Sequence, residues 1–169
     1  WNVTPDILTV AKSLGGGVMP ISAVTTTEEI YQPMMYPNPF MHTTTTGGGA
    51  LACSAAISAI HVTLREKLWE QAAQKGDYLI SQLNKFVAQY PQIYEKITGK
   101  GLLIGMHFKT PEIGYKVASG LFKRNVLVAG TLTSAQTIRV EPPLIVSQNQ
   151  MDALLDRLGE ALHEISRTI

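Results

Sequence analysis

Between Ile7 and Ala11 the chain is an apolar run, and from Ile21 to Thr26 it alternates with β-branched side chains. Both patterns predict strands, over 7–11 and 21–26. From Tyr31 to Thr46 periodicity disappears: Pro, Met, Tyr and Thr follow one another, and a long irregular loop is expected, a type that is usually functional in a compact domain. Small residues fill Leu51 to about Arg65, a predicted helix suited to close packing. A second helix is predicted from about Trp69 to Tyr90. Its stripe is Ala72, Ala73, Leu79, Ile80, Leu83, Phe86 and Val87, and Pro91 stops it.

The grain then changes to an α+β unit. Leu102, Ile104, Met106 and Phe108 alternate as a strand. Thr110 and Pro111 read as an N-cap and first helical residue, opening a helix with Ile113, Val117, Leu121 and Phe122 on its apolar side. Short strands are predicted at Val126-Leu127-Val128 and Thr137–Val140, the second stopped by Pro142-Pro143. Ser147 and Gln150 form a capping box for a last helix whose face carries Met151, Leu154, Leu155, Leu158, Leu162 and Ile165. No internal repeat is visible. A boundary between two parts is expected near residue 70, giving domains 1–70 and 71–169.

Composition narrows the classes. With 45% hydrophobic and 16% charged among 169 residues, the chain is globular and supplies one or two small cores. A formal charge of +1, without a basic cluster, argues against nucleic acid or a membrane surface as partner. No apolar run approaches the roughly 20 residues that span a bilayer, and no signal-peptide layout opens the chain. Cys53 is the single cysteine, which leaves no intrachain disulfide and fits a reducing cytoplasm. Its Ala-rich surroundings suggest a small buried residue rather than a reactive thiol. The opening Trp1-Asn2-Val3-Thr4-Pro5 has no initiator Met and reads as the middle of something longer.

Three features could carry chemistry. Lys12 ends the apolar run 7–11 and precedes Gly15-Gly16-Gly17, a setting expected to desolvate its amine in part and lower its pKa. Such an amine attacks carbonyls to form Schiff bases; the competing reading is a strand-end lysine reaching into water. His42-Thr43-Thr44-Thr45-Thr46-Gly47-Gly48-Gly49 sets hydroxyls and backbone N–H groups before a helix, which suits a phosphate or simply caps that helix. The Walker A order is absent. Arg139, between Ile138 and Val140, could hold a carboxylate bidentately or pair with Glu141. His42, His61, His107 and His163 lack metal-ligand spacing, so no metal is expected; His61 and His107 read as packed side chains, and only His42 lies beside the Thr run.

In this order the features resemble the C-terminal part of class III (subgroup II) aminotransferases of fold type I, which depend on pyridoxal 5′-phosphate (PLP). The resemblance runs from Trp1 to roughly Leu162. Pro5-Asp6-Ile7-Leu8-Thr9-x-Ala11-Lys12-Ser13-Leu14-Gly15-Gly16-Gly17 is similar to the segment around the family's Schiff-base lysine, which implies that role for Lys12. His42-Thr43-Thr44-Thr45 followed by Gly47-Gly48 is similar to the segment that reaches the PLP phosphate of the neighbouring subunit, implying Thr45, with Thr44 beside it. Ile138-Arg139-x-Glu141-Pro142-Pro143-Leu144 is similar to the stretch whose arginine holds the substrate carboxylate, implying Arg139. This run and Val126–Leu132 most resemble putrescine aminotransferases, with ornithine-type enzymes next.

The resemblance implies an α/β fold-type-I fragment: last strands of the large PLP-binding domain, linking helices and the C-terminal α+β small domain. It also implies a cytoplasmic homodimer that moves an amino group from a diamine or ω-amino donor, putrescine first, to 2-oxoglutarate. Alternatives are an ornithine or acetylornithine aminotransferase, an aminomutase, or a non-catalytic truncated remnant that only oligomerises. Thr46, Gly49 and Ala50 depart from the family's aromatic-Gly-Gly-Asn-Pro, which should loosen that turn. The family's pyridine-pairing aspartate, same-subunit phosphate loop and ring-stacking aromatic would lie upstream of Trp1. The chain by itself is therefore expected to be inactive, with apolar faces of strands 7–11 and 21–26 exposed.

Overall fold

Ile7–Val10 forms strand β1, and β2 (Ala23–Thr26) pairs with it antiparallel in the register Ile7↔Thr26 to Val10↔Ala23. The computed structural model describes residues 2–131 and 134–169. Trp1, where the family resemblance starts, and Leu132, where the Val126–Leu132 run ends, lie outside the described residues. The chain divides into two compact units, one ending at Glu66 and the other starting at Lys67.

In the first unit the β1–β2 pair has little cover: Ile7 is 55% exposed and Val24 51%, as the sequence reading anticipates. Both strands are shorter than predicted, and Lys12–Gly15 is a 3-10 turn. Tyr31–Thr46 is not irregular throughout, because helix α1 (Glu28–Met35) occupies its start. Thr27 caps α1 by accepting from Ile30 N–H (3.4 Å), and Glu28 and Glu29 lie in the first turn, where carboxylates favour the helix dipole. Those local terms carry a helix that buries none of its residues and contains Pro33. Helix α2 (Ala50–Arg65) follows as predicted. Cys53 is half-buried within it, and His61 is exposed rather than packed.

The second unit is a four-stranded antiparallel sheet with helices on one face, its strands ordered Tyr94–Lys100 (β3), Leu103–Phe108 (β4), Thr137–Val140 (β6) and Ala129–Gly130 (β5). Helix α3 (Leu68–Gln89) leads into β3 (Tyr94–Lys100), which the sequence reading missed. As an edge strand β3 buries little beyond Tyr94, and its register shifts between Tyr94 and Lys96, so no alternation survives. Strand β4 (Leu103–Phe108) turns Ile104, Met106 and Phe108 inward, as predicted. Helix α4 (Pro111–Lys123) has the predicted Thr110 cap, but Phe122 is 68% exposed. It follows Leu121 by one residue and so points about 100° away from the stripe Ile113, Val117 and Leu121.

The strand predicted at Val126-Leu127-Val128 is not formed there; β5 (Ala129–Gly130) follows that segment and pairs with β6 (Thr137–Val140). Helix α5 (Gln148–Ser166) has the predicted capping box: Ser147 Oγ accepts from Gln150 N–H (3.3 Å), and Gln150 Oε1 accepts from Ser147 N–H (2.9 Å). Leu79, Leu83, Ile104, Met106, Val117, Leu121, Leu158 and Leu162 are fully buried in one core. Tyr94 lies in it against Phe108, ring centroids 4.9 Å apart, and burial pushes its hydroxyl pKa far up. Among the described residues, no helix is long and apolar enough to cross a membrane.

Candidate functional site

After β1 the backbone at Ala11 is extended, and Lys12 turns it with a left-handed φ of 56°. That conformation costs a non-glycine residue about 1–2 kcal/mol, so the following turn must hold it. Leu14 N–H donates to Ala11 C=O (3.1 Å) and Gly16 N–H to Ser13 C=O (2.9 Å). Gly16 has a φ of 64°, and a Cβ there would come within 3.3 Å of Ala59 Cβ on α2. A Cβ on Gly15 would meet Ile21 Cγ2 at 3.2 Å. The glycines thus let α2 and the entry to β2 close on the turn that carries Lys12.

Lys12 is exposed, which corrects the expectation of a partly desolvated amine. The cause is geometric. β1 stops before it, and a two-stranded sheet offers no layer to cover it.

The threonine segment ends in consecutive turns, Gly47 N–H to Thr44 C=O (3.3 Å) and Gly49 N–H to Thr46 C=O (3.3 Å). A Cβ on Gly47 would stand 2.2 Å from Thr44 Cγ2, and Gly48 has a φ of 68°, so this turn requires glycine. Gly49 is the N-cap of α2 and supplies no side-chain acceptor to its first N–H groups. Lys12, Ser22, Thr44, Thr46, Gly47 and Gly48 border one cavity of about 460 Å3. Thr45 is exposed and does not border it. The sequence reading singled out Lys12 and Thr44 but passed over Ser22, which looked like an ordinary strand residue. Thr46 figured there within the run of hydroxyls and as a departure from the family's aromatic.

In the second unit, Arg139 stands on β6 opposite Gly105 of β4 and Ala129 of β5. The pair with Glu141 that the sequence left open is formed, with Arg139 Nη1 3.4 Å from Glu141 Oε1. Arg139 Nε is buried and has no hydrogen-bond partner. The arginine borders a cavity of about 640 Å3 that is otherwise mainly apolar, with Val126, Val128 and Leu154 among its walls. A guanidinium with an unused edge beside an apolar hollow suits a ligand with a carboxylate on a hydrocarbon stem.

The histidines take other parts. His42 Nδ1 is 3.2 Å from Tyr31 Oη and lies outside the Lys12 cavity. His107 is half-buried on the helix-free face of the sheet, where Nε2 meets Thr98 Oγ1 (2.7 Å) and Nδ1 meets Thr137 Oγ1 (3.0 Å). Among the described residues no group of His, Cys, Asp and Glu could hold a metal ion.

The family model described as Aminotransferase class-III matches residues 1–162. Among solved structures, acetylornithine aminotransferase from Elizabethkingia anophelis is 31% identical, with a TM-score of 0.86 over 96% of this chain and 42% of its own. Ornithine aminotransferase from Toxoplasma gondii, whose structure has partial occupancy of PLP at its active site, is 28% identical, with a TM-score of 0.89 over 99% of this chain and 39% of its own. An (S)-enantioselective omega-transaminase from Thermomicrobium roseum is 30% identical, with a TM-score of 0.83 over 96% of this chain and 38% of its own. The chain spans about two fifths of the length of the structures it matches.

Proposed function

The chain belongs to the class-III aminotransferase family, and from that premise we propose that it serves PLP-dependent transfer of an amino group from a diamine or ω-amino donor to 2-oxoglutarate. Residues 1–70 are the end of the large PLP-binding domain and residues 71–169 the small domain of a cytoplasmic homodimer. The observation that carries the reading is one cavity bordered by Lys12, Ser22, Thr44, Thr46 and the Gly47-Gly48 turn.

The residues fit a ligand that bears both a carbonyl and a phosphate. The amine meets the first, while hydroxyl donors, a turn without side chains and the uncapped start of α2 meet the second. PLP supplies the electron sink that stabilises charge on the substrate carbon. Lys12 would hold it and act as general acid and base, taking the proton from the substrate carbon that bears the amino group and passing it to the cofactor, a role open to an amine that no ion pair occupies among the described residues. Thr44 holds the phosphate in its own chain. Thr45, exposed and outside the lining of that cavity, serves the neighbouring subunit. Arg139 holds the carboxylate of the 2-oxo acid.

Putrescine is the donor favoured by the Ile138–Leu144 run. The likeness to ornithine and acetylornithine aminotransferases supports a second reading, in which the donor is ornithine or its acetylated form. Steady-state turnover of putrescine, ornithine and acetylornithine by the complete enzyme decides between them. Under the first reading putrescine has the highest kcat/KM. A clear preference for either amino acid overturns it in favour of the second.

A further inference from the structure

We infer that Lys75 is a positioning residue for Arg139: its ammonium pins the loop that follows β6, and so keeps the wall of the arginine's cavity in place for a carboxylate. The inference rests on the reading of Arg139 as the carboxylate-holding residue. It adds to that reading a side chain of α3 that lies outside the cavity lining.

Arg139 is the last residue but one of β6, and the ladder ends with Val140 opposite Ile104. Beyond that point the chain has few ways to hold itself. Pro142 and Pro143 carry no N–H, so neither can donate to a neighbour. Leu144 and Ile145 are 41% and 70% exposed and add little burial. Val146 is buried, and its N–H closes a turn onto Pro143 C=O (2.9 Å). A further tie comes from another element. Lys75, half-buried on α3, donates from Nζ to Leu144 C=O (2.9 Å), and Gln71 Oε1, one turn earlier, accepts from the same ammonium (3.2 Å).

Pro142, Pro143 and Val146 are walls of the cavity that Arg139 borders. The fixed φ of the two prolines stiffens the stretch between Arg139 and Leu144, so a pin at Leu144 is felt at the arginine. Arg139 Nε is buried without a partner, a donor that a carboxylate can satisfy while those walls stay in place. Once the loop swings out, water reaches Nε and competes for it. Losing a hydrogen bond from a charged donor at a half-exposed site should shift such an equilibrium by about three- to tenfold. The effect falls on the acid, because a protonated diamine offers Nε no acceptor.

The test uses the complete enzyme with its cofactor, glutarate as a non-reacting dicarboxylate followed by calorimetry, and steady-state kinetics. Lys75→Met keeps the stem and removes the donors. It should weaken glutarate binding about three- to tenfold and raise the KM for 2-oxoglutarate to match, while kcat and the KM for putrescine stay within about twofold of the parent. Lys75→Arg, which returns a donor to that place, should recover most of the loss. A general loosening of the fold would move kcat and both KM values together, so the split separates positioning from a structural role. Glutarate bound by Lys75→Met as tightly as by the parent, or kcat and both KM values changed alike, overturns the inference alone when Arg139→Gln has lost glutarate. Glutarate binding retained in Arg139→Gln overturns the reading of Arg139 and the inference with it.

Discussion

Gly76 of α3 lies so close to Gly101, in the turn between β3 and β4, that a Cβ on Gly76 would stand 2.2 Å from the Gly101 carbonyl oxygen. Helix and turn meet backbone to backbone. On an exposed helix, Gly→Ala is favourable by about 0.5–1 kcal/mol. Here Gly76→Ala should destabilise the protein by about 3 kcal/mol, since a main-chain atom must move to admit the methyl group. Urea denaturation at neutral pH measures it. A variant as stable as the parent would mean that this contact is loose.

Lys12 occupies a left-handed position that no neighbouring ion pair explains among the described residues. If that geometry serves imine chemistry, borohydride treatment of the PLP-loaded complete enzyme should fix the cofactor to the peptide containing Lys12. Peptide mass mapping reads the position directly. Lys12→Ala should abolish the adduct, and Lys12→Arg should not restore it. An adduct elsewhere removes the basis for the proposed function.

What could be read from the chain depended on how far each element is determined by its own residues. The Ser147–Gln150 box, the Thr110-Pro111 start and the β4 alternation are local patterns, and the fold repeats them. β3 escaped because an edge strand with a register shift buries almost nothing. α1 escaped because its cap and first-turn acids outweigh a proline in a helix that buries none of its residues. At the site, Gly16 is where the Lys12 turn comes close to α2, an approach the sequence analysis did not name. Solvation of Lys12 was not legible, because it depends on cover from other layers. Nor could a run of threonines in a loop say which hydroxyls border the cavity, since loop residues follow no period.

Thr44 and Thr45 are neighbours in sequence with different surroundings, which gives the intersubunit role of Thr45 a sharp test. A heterodimer of Lys12→Ala and Thr45→Ala subunits contains one site with both groups only if Thr45 acts across the dimer. That heterodimer should recover about half the parent activity, whereas each mutant homodimer stays far lower. If Thr45 serves its own subunit, neither site is whole and no recovery occurs.

Arg124, at the end of α4, ties that helix to α5 by donating from Nε to Glu160 Oε2 (3.1 Å) and from Nη2 to Glu164 Oε2 (3.0 Å). The hydrogen bond from Arg124, joined by its charge, holds the Glu164 carboxyl below its ordinary value of 4.5. A carboxyl depressed on folding contributes stability that is fully present above its unfolded pKa and is lost as pH falls through the folded one. Glu164→Gln should therefore lower the urea midpoint at pH 7, and its gap from the parent should close as the pH falls below about 4. Arg124 shifts in the opposite sense, upward, chiefly through the same hydrogen bond, so its own titration lies far above this window. Added salt should shrink the gap at pH 7, because the acids are well exposed. A gap that stays constant from pH 7 to pH 3 would show that the side chain packs α5 without acting through its charge.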